Sequence, residues 1–220
     1  MADIRLSQRA LAVLDTANSH EFIEPVKRIN DGPDVSFFLT SIAYRDLWSF
    51  IFQLNTSMFP RRSSSDGGSI KVWELGNPTA SYSPTVTNLR KLLEELGKII
   101  TEAPPDTGPR RFGNISFRRW HEIVESKLPD LMQQYIPSEA LDFGVKADGG
   151  VTAKDELKAY LSGSFGSAQR LDYGTGHELS FVAFLACVWK LGGFQKSQDG
   201  EEERAIVLGV IEPYVVMTAC

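Results

Sequence analysis

The stretch from Ser164 to Gly193, SFGSAQRLDYGTGHELSFVAFLACVWKLGG, constrains the fold of this chain more than any other. Leu179, Phe181, Val182, Phe184, Leu185, Val188, Trp189 and Leu191 put apolar side chains almost all round a helix. Such a helix must be buried, and the rest of the chain must be arranged about it. Gly192 and Gly193 follow and can supply the positive φ that ends it. Ahead of it lies Asp172-Tyr173-Gly174-Thr175-Gly176-His177-Glu178. Thr175 and Glu178 have the spacing of a capping box: the hydroxyl accepts from the third helical N–H and the carboxylate reaches back to the N–H of Thr175. A helix start also presents unpaired N–H groups and the positive end of a dipole. With Arg170 close by, a phosphate is a second use for the same turn. Spacing alone leaves the plain helix start and the anion site both open. No Gly-Lys-Ser/Thr follows the glycines and no β-branched strand leads into them, so this is neither a Walker loop nor the dinucleotide fingerprint.

The remaining segments sort by periodicity. Leu6, Leu11, Val13 and Leu14 give a short stripe in a weakly helical lead, and Glu21 to Ile29 reads as a short helix stopped by Asn30-Asp31-Gly32-Pro33. Asp34 is placed to cap the next helix. Val35, Phe38, Leu39, Ile42, Leu47, Ile51, Phe52 and Leu54 recur at three- and four-residue steps, which predicts one helix from about Val35 to Phe59 with its stripe in the core. Pro60 to Ser81 has no periodicity and reads as a loop with a mobile insertion. Arg61-Arg62 before Ser63-Ser64-Ser65 fits a phosphorylation target or a solvated loop tip. Ser83-Pro84 opens a helix whose stripe, Val86 through Leu89, Leu92, Leu93, Leu96, Ile99 and Ile100, runs to about Thr101.

A Pro- and Gly-rich loop, Ala103 to Asn114, holds Arg110 and Arg111, which either face an anion or lie exposed. Ser116 is expected to cap a helix carrying Phe117, Trp120, Ile123, Val124 and Leu128, with Arg118, Arg119 and His121 on its other faces. Pro129 to Phe143 predicts a separate short helix and a further turn after Pro137. Thr152 caps a helix through Leu161, with Leu157 and Tyr160 inward. An acidic loop, Asp199 to Glu203, precedes a last helix from Ala205 to about Val216, whose pattern Pro213 breaks. No segment alternates strictly over a useful length, and no repeat is visible. The class is all-α.

Composition narrows the function. At 220 residues the chain makes one large domain or two small ones. Its 42% hydrophobic and 23% charged content is ordinary for a globular protein. A net charge of −5 argues against a nucleic-acid binder. Two cysteines, Cys187 and Cys220, fit a reducing compartment. Met1 to Asn18 carries charges throughout, and Phe181 to Trp189 is too short to span a bilayer, which needs roughly 20 residues. The expectation is a cytoplasmic protein, with the nucleus as a second compartment, and no membrane partner. His20, His121 and His177 show no ligand spacing with Cys or Asp, so no metal site is read from them.

SFGSAQRLDYGTGHELSF (Ser164 to Phe181) resembles a signature of the phosphotyrosyl phosphatase activator family, the activators of type 2A serine/threonine phosphatases. PPDTGPRRFGNISFRRWHE (Pro104 to Glu122) is similar to that family's other signature. The resemblance runs from about Glu21 to Tyr214, in the correct order, and has a fungal character. It implies a single all-helical domain over residues 1–220, with the insertion at about 60–82. It also implies binding to the phosphatase catalytic subunit, reactivation dependent on ATP and Mg2+, and peptidyl-prolyl cis/trans isomerase activity on a proline-containing peptide. The family's nucleotide contacts carry over onto Arg170, Thr175 and Gly176, with Gly174 in the same turn. Arg170 would pair with phosphate oxygens and Thr175 and Gly176 would offer donors. Asp172 either orients Arg170 or forms a plain surface ion pair with it. Tyr173 lines an adjoining peptide groove or packs in the core. Family members continue past the last helix through a Gly-Val-Trp-Gly-Leu-Asp-Asp motif that helps form the nucleotide and partner sites. The expectation is therefore a C-terminally truncated domain, with magnesium ligands in the segment not present.

Three functions remain open on these grounds. The first is a phosphatase activator with isomerase activity. The barrier to X–Pro rotation, about 18–20 kcal/mol, comes from amide resonance. A groove that holds the twisted imide and hydrogen-bonds its nitrogen lowers that barrier without a nucleophile or metal, so no catalytic residue can be named. The second is a phosphatase-binding module, or an inactive truncated product, that works by contact alone or not at all. The third, an ATP-hydrolysing or phosphate-transferring enzyme, is disfavoured by the missing Walker lysine and acidic metal cluster.

Overall fold

The computed structural model describes residues 10–62, 69–76, 81–108, 113–144, 149–197 and 199–218. The described elements are α1 (Gly32–Leu39), α2 (Ile42–Ser57), a two-stranded hairpin β1 (Arg61–Arg62) and β2 (Ile70–Lys71), and α3 (Pro84–Lys98), which tightens into a 3₁₀ turn. They continue with α4 (Ser116–Tyr135), α5 (Ser138–Leu141), α6 (Ala153–Gly163), α7 (Thr175–Lys190), α8 (Glu201–Ile206) and α9 (Glu212–Thr218). The class is all-α. Among the described residues no helix is long and apolar enough to cross a membrane.

The apolar helix read from the sequence is α7. Phe181, Phe184, Leu185 and Val188 are each at most 1% exposed, and α6 and α2 pack along it. Gly192, at φ +77°, ends it as expected. Two N-terminal starts also match. The Ser83 hydroxyl accepts from Val86 N–H with Pro84 in the first turn of α3, and Thr152 with Asp155 forms a full capping box on α6. The α3 stripe is buried from Val86 to Ile99.

Several expected boundaries move, each for a local reason. The helix expected from Val35 to Phe59 is two helices. The Thr40 and Ser41 hydroxyls donate to the Phe37 and Phe38 carbonyls, and Ser41 then caps α2 by accepting from Tyr44 N–H. Asp31, not Asp34, caps α1, while the Asp34 carboxylate accepts from Asn30 N–H. The stripe is not all core: α1 buries none of its residues, and Val35, Leu39 and Ile42 of the stripe are 42%, 50% and 66% exposed.

Residues 10–30 are not helical. Their backbone is satisfied by other elements: Leu11 donates to Gln53 Oε1, Trp189 Nε1 donates to the Leu11 carbonyl, and Leu14 donates to the Lys190 carbonyl. Pro129 does not start a separate helix but lies inside α4. Trp120, Val124, Leu128 and Met132 form one buried stripe across it, and that burial outweighs one lost hydrogen bond. Pro213 is likewise carried within a continuous run. The wide π turn Val207–Ile211 immediately precedes it, which gives the proline ring room against the preceding carbonyls. The run begins at Glu201, earlier than expected, with three glutamates favoured by the positive end of the helix dipole. Ser63-Ser64-Ser65 and Cys220 lie outside the described residues.

Candidate functional site

The site is built where the two sequence signatures meet. α6 ends at Gly163, and the chain turns through residues 164–174 before α7 begins. Within that loop Leu171 N–H donates to the Ser167 carbonyl and Ser167 N–H to the Asp172 carbonyl, closing a tight turn. Leu171 sits at φ +56°, so its carbonyl is driven outward against Gly113. A Cβ at Gly113 would lie 2.3 Å from the Leu171 oxygen, and Gly113 itself is at φ +86°. Only glycine fits both demands. Arg118, at the start of α4, donates to the Ala168 and Gln169 carbonyls and fixes the far side of the turn.

An aromatic groove of about 320 Å³ runs between these parts. Phe117, Trp120, Phe165, Leu171, Tyr173 and Met217 line it. Phe117 stacks on Trp120 at 5.5 Å, and Phe165 meets Trp120 edge-on at 5.6 Å. Trp120 is 7% exposed, and its Nε1 is the one buried side-chain nitrogen or oxygen among the described residues without a hydrogen-bond partner.

The expected capping box at Thr175 and Glu178 does not form. The N-cap is Gly174, in extended backbone at φ −175°, and no side chain caps the helix. The helix begins one residue earlier than the box requires. Thr175 is therefore the first helical residue, and the N–H groups of His177 and Glu178 both reach the Gly174 carbonyl. The N–H groups of Thr175 and Gly176 have no acceptor among the described residues. Gly174, Thr175 and Gly176 are all exposed, and nothing stands within 4 Å of a Cβ built on either glycine.

Asp172 lines the groove and pairs with Arg170. Arg170 Nε donates to Asp172 Oδ2 at 2.7 Å, with the side chains 63% and 50% exposed. That hydrogen bond holds the Asp172 carboxyl below its ordinary range and raises Arg170. The pair is solvated, so its energy is small, but it points the guanidinium while leaving its Nη atoms without a described partner. Tyr173 is 40% exposed at the groove edge and is not a core residue. His177 stacks on it, and His177 Nδ1 lies 2.7 Å from the Gly163 carbonyl, which can only accept; Nδ1 therefore carries the proton. The His177 Nε2 faces Asp172 Oδ1 at 3.8 Å.

The start of α7 is thus open, with the N–H groups of Thr175 and Gly176 unpaired among the described residues and Arg170 tied through Asp172 to the loop that leads into it. Among the described residues no group of three or more His, Cys, Asp or Glu could hold a metal ion. Arg110 and Arg111 lie outside the described residues. Sequence reasoning missed Arg118, whose helical position reads as an outward face, and Tyr214, which no local pattern ties to this loop.

The family model described as phosphotyrosyl phosphate activator (PTPA) protein matches residues 25–219. Serine/threonine-protein phosphatase 2A activator 1 of Aspergillus fumigatus is 53% identical over 94% of this chain and 43% of its own length. The protein of the same name from Emericella nidulans is 54% identical, over 94% of this chain and 48% of its own. The chain thus spans about half the length of the curated relatives it matches. The crystal structure of the PP2A phosphatase activator Ypa1 PTPA1 superposes with a TM-score of 0.73 at 32% identity, over 96% of this chain and 59% of that one. With the matched region covering both signatures and the groove they enclose, this chain belongs to the PTPA family.

Proposed function

We propose that the chain acts as a regulator of type 2A serine/threonine phosphatases by binding their catalytic subunit. The observation that carries this is the meeting of both family signatures at a single groove, with the uncapped start of α7 at its edge. Relatives named as phosphatase 2A activators match nearly the whole chain.

Two finer activities fit the same place. The N–H groups of Thr175 and Gly176, with Arg170, are suited to the phosphates of ATP. When bound, the nucleotide would bring a polyanion to this mouth. This chain's residues would supply the donors that orient it, and Asp172 would hold Arg170 in place. The groove suits a proline-containing peptide. Phe117, Trp120 and Tyr173 offer apolar faces to a pyrrolidine ring and exclude water from the imide, which strengthens any hydrogen bond that favours the twisted state. No side chain has to form a covalent bond.

Reactivation of an inactive phosphatase 2A catalytic subunit, with and without ATP and Mg2+, tests the regulatory reading. Stimulation that depends on the chain is expected, and none would count against it. Isomerisation of a proline peptide without phosphatase separates enzyme from binding module. A rate enhancement lost in Tyr173→Ala supports the enzyme; no enhancement leaves regulation by binding alone.

A further inference from the structure

Hydroxyl groups join the last helix to the loop ahead of α7. Tyr214, on α9, is 1% exposed, and its ring lies flat on Phe181 of α7, with centroids 3.8 Å apart and planes 5° apart. Its hydroxyl is 2.7 Å from the Ser164 carbonyl oxygen and 3.0 Å from the Tyr173 hydroxyl. A carbonyl only accepts, so Tyr214 donates to Ser164 and is left to accept from Tyr173. The single Tyr173 O–H has Thr218 Oγ1, at 3.2 Å and one turn further along α9, as its alternative acceptor. Ser164 is fully buried, and among the described residues no other donor reaches its carbonyl.

Ser164 and Tyr173 stand at the two ends of the loop that carries Arg170 and delivers Thr175. One hydroxyl therefore ties both ends of that loop to α9. Burial, reinforced by the hydrogen bond from Tyr173, pushes the Tyr214 phenol well above its ordinary range, so it remains a donor across the working pH range. The ring stack alone would not do this: it holds α9 against α7 but leaves the Ser164 carbonyl unpaired.

We propose that Tyr214 is a positioning residue, a latch whose hydroxyl sets the 164–174 loop and so couples the C-terminal helix to the anion site at the start of α7. The coupling to an anion rests on the nucleotide reading given above. The latch itself does not. Whatever displaces α9 would loosen Arg170 and Thr175 together, although among the described residues no hydrogen bond or ion pair joins either to that helix.

The test compares the full chain with Tyr214→Phe, which keeps the stack on Phe181 and removes only the donor. Amide hydrogen exchange is followed by mass spectrometry, and ATP binding by calorimetry. Exchange over 165–176 should quicken by about tenfold, as loss of one hydrogen bond allows, while peptides within 181–188 stay protected. ATP affinity should fall by a similar factor. Tyr173→Phe, at a partly exposed hydroxyl, repeats the comparison without touching the buried one and should show the same local pattern more weakly. Unchanged exchange over 165–176 in both variants overturns the latch, whatever ATP does. Quickened exchange throughout the chain reduces Tyr214 to a general packing residue and also overturns it. Local quickening with unaltered ATP affinity overturns the positioning role. Wild-type protein that binds no ATP sinks the nucleotide reading, while the exchange comparison still decides the latch.

Discussion

Thr175 changes role with a single step of helix register. As an N-cap its hydroxyl would satisfy a backbone donor, and its loss would cost about 1 kcal/mol. As the first helical residue, with no side-chain cap bond, it supports no such contact. Thr175→Ala should therefore change stability by less than about 0.5 kcal/mol in a urea titration, as for an ordinary surface substitution. A loss near 1 kcal/mol would restore the capping box. Glu202 is the opposite case, a polar group whose burial matters. It is 4% exposed, accepts from the Ser83 hydroxyl, and faces Gln195 N–H. Burial raises its carboxyl above the ordinary range, and the bonds from Ser83 and Gln195 offset only part of that. A raised folded-state pKa means that its contribution is fully present below the unfolded value and lost as pH rises through the folded one. Glu202→Gln keeps an acceptor oxygen and never ionises. Its melting temperature relative to wild type should rise as the pH is raised from the ordinary carboxylate range, where both are neutral, through the raised folded-state value of Glu202. A difference that stays flat or falls would show that the carboxylate is stabilised where it lies.

Among the elements, α7 was the most legible, because an apolar surface all round a helix admits only burial. Leu185 is fully buried at its centre, so Leu185→Ala should cost about 2–5 kcal/mol, read as a lowered denaturation midpoint with an unchanged slope. A midpoint that hardly moves would place the core elsewhere. α3 and α6 were equally readable, since Ser83-Pro84 and Thr152 with Asp155 announce helix starts through contacts three residues apart. Legibility failed where the deciding contact was distant or competing. The break between α1 and α2 turns on two hydroxyls that favour local carbonyls over helix continuation, and three- and four-residue apolar spacing is blind to it. The lead over residues 10–20 took its partners from α2 and α7, at separations of 42 and 178 residues. Pro129 and Pro213 read as breaks, yet burial stripes and a π turn carried the helices past them.

For the molecule as a whole, the candidate site was legible as two motifs but not as one place. Arg170, Gly174, Thr175 and Gly176 were nameable because they adjoin one helix start in sequence. The groove was not, because it exists only when Gly113 admits the Leu171 carbonyl and α9 returns beside Tyr173. The central claim is that this junction holds an anion at the start of α7 with Arg170 as its partner. Calorimetric titration of ATP into wild-type protein and Arg170→Ala tests it most directly. Loss of a charge-assisted contact worth about 1.5–3 kcal/mol should weaken ATP roughly tenfold to a hundredfold, and the melting temperature should hardly change because the Arg170–Asp172 pair is exposed. Equal ATP affinity in the two proteins would contradict the claim and return the turn to an ordinary helix start.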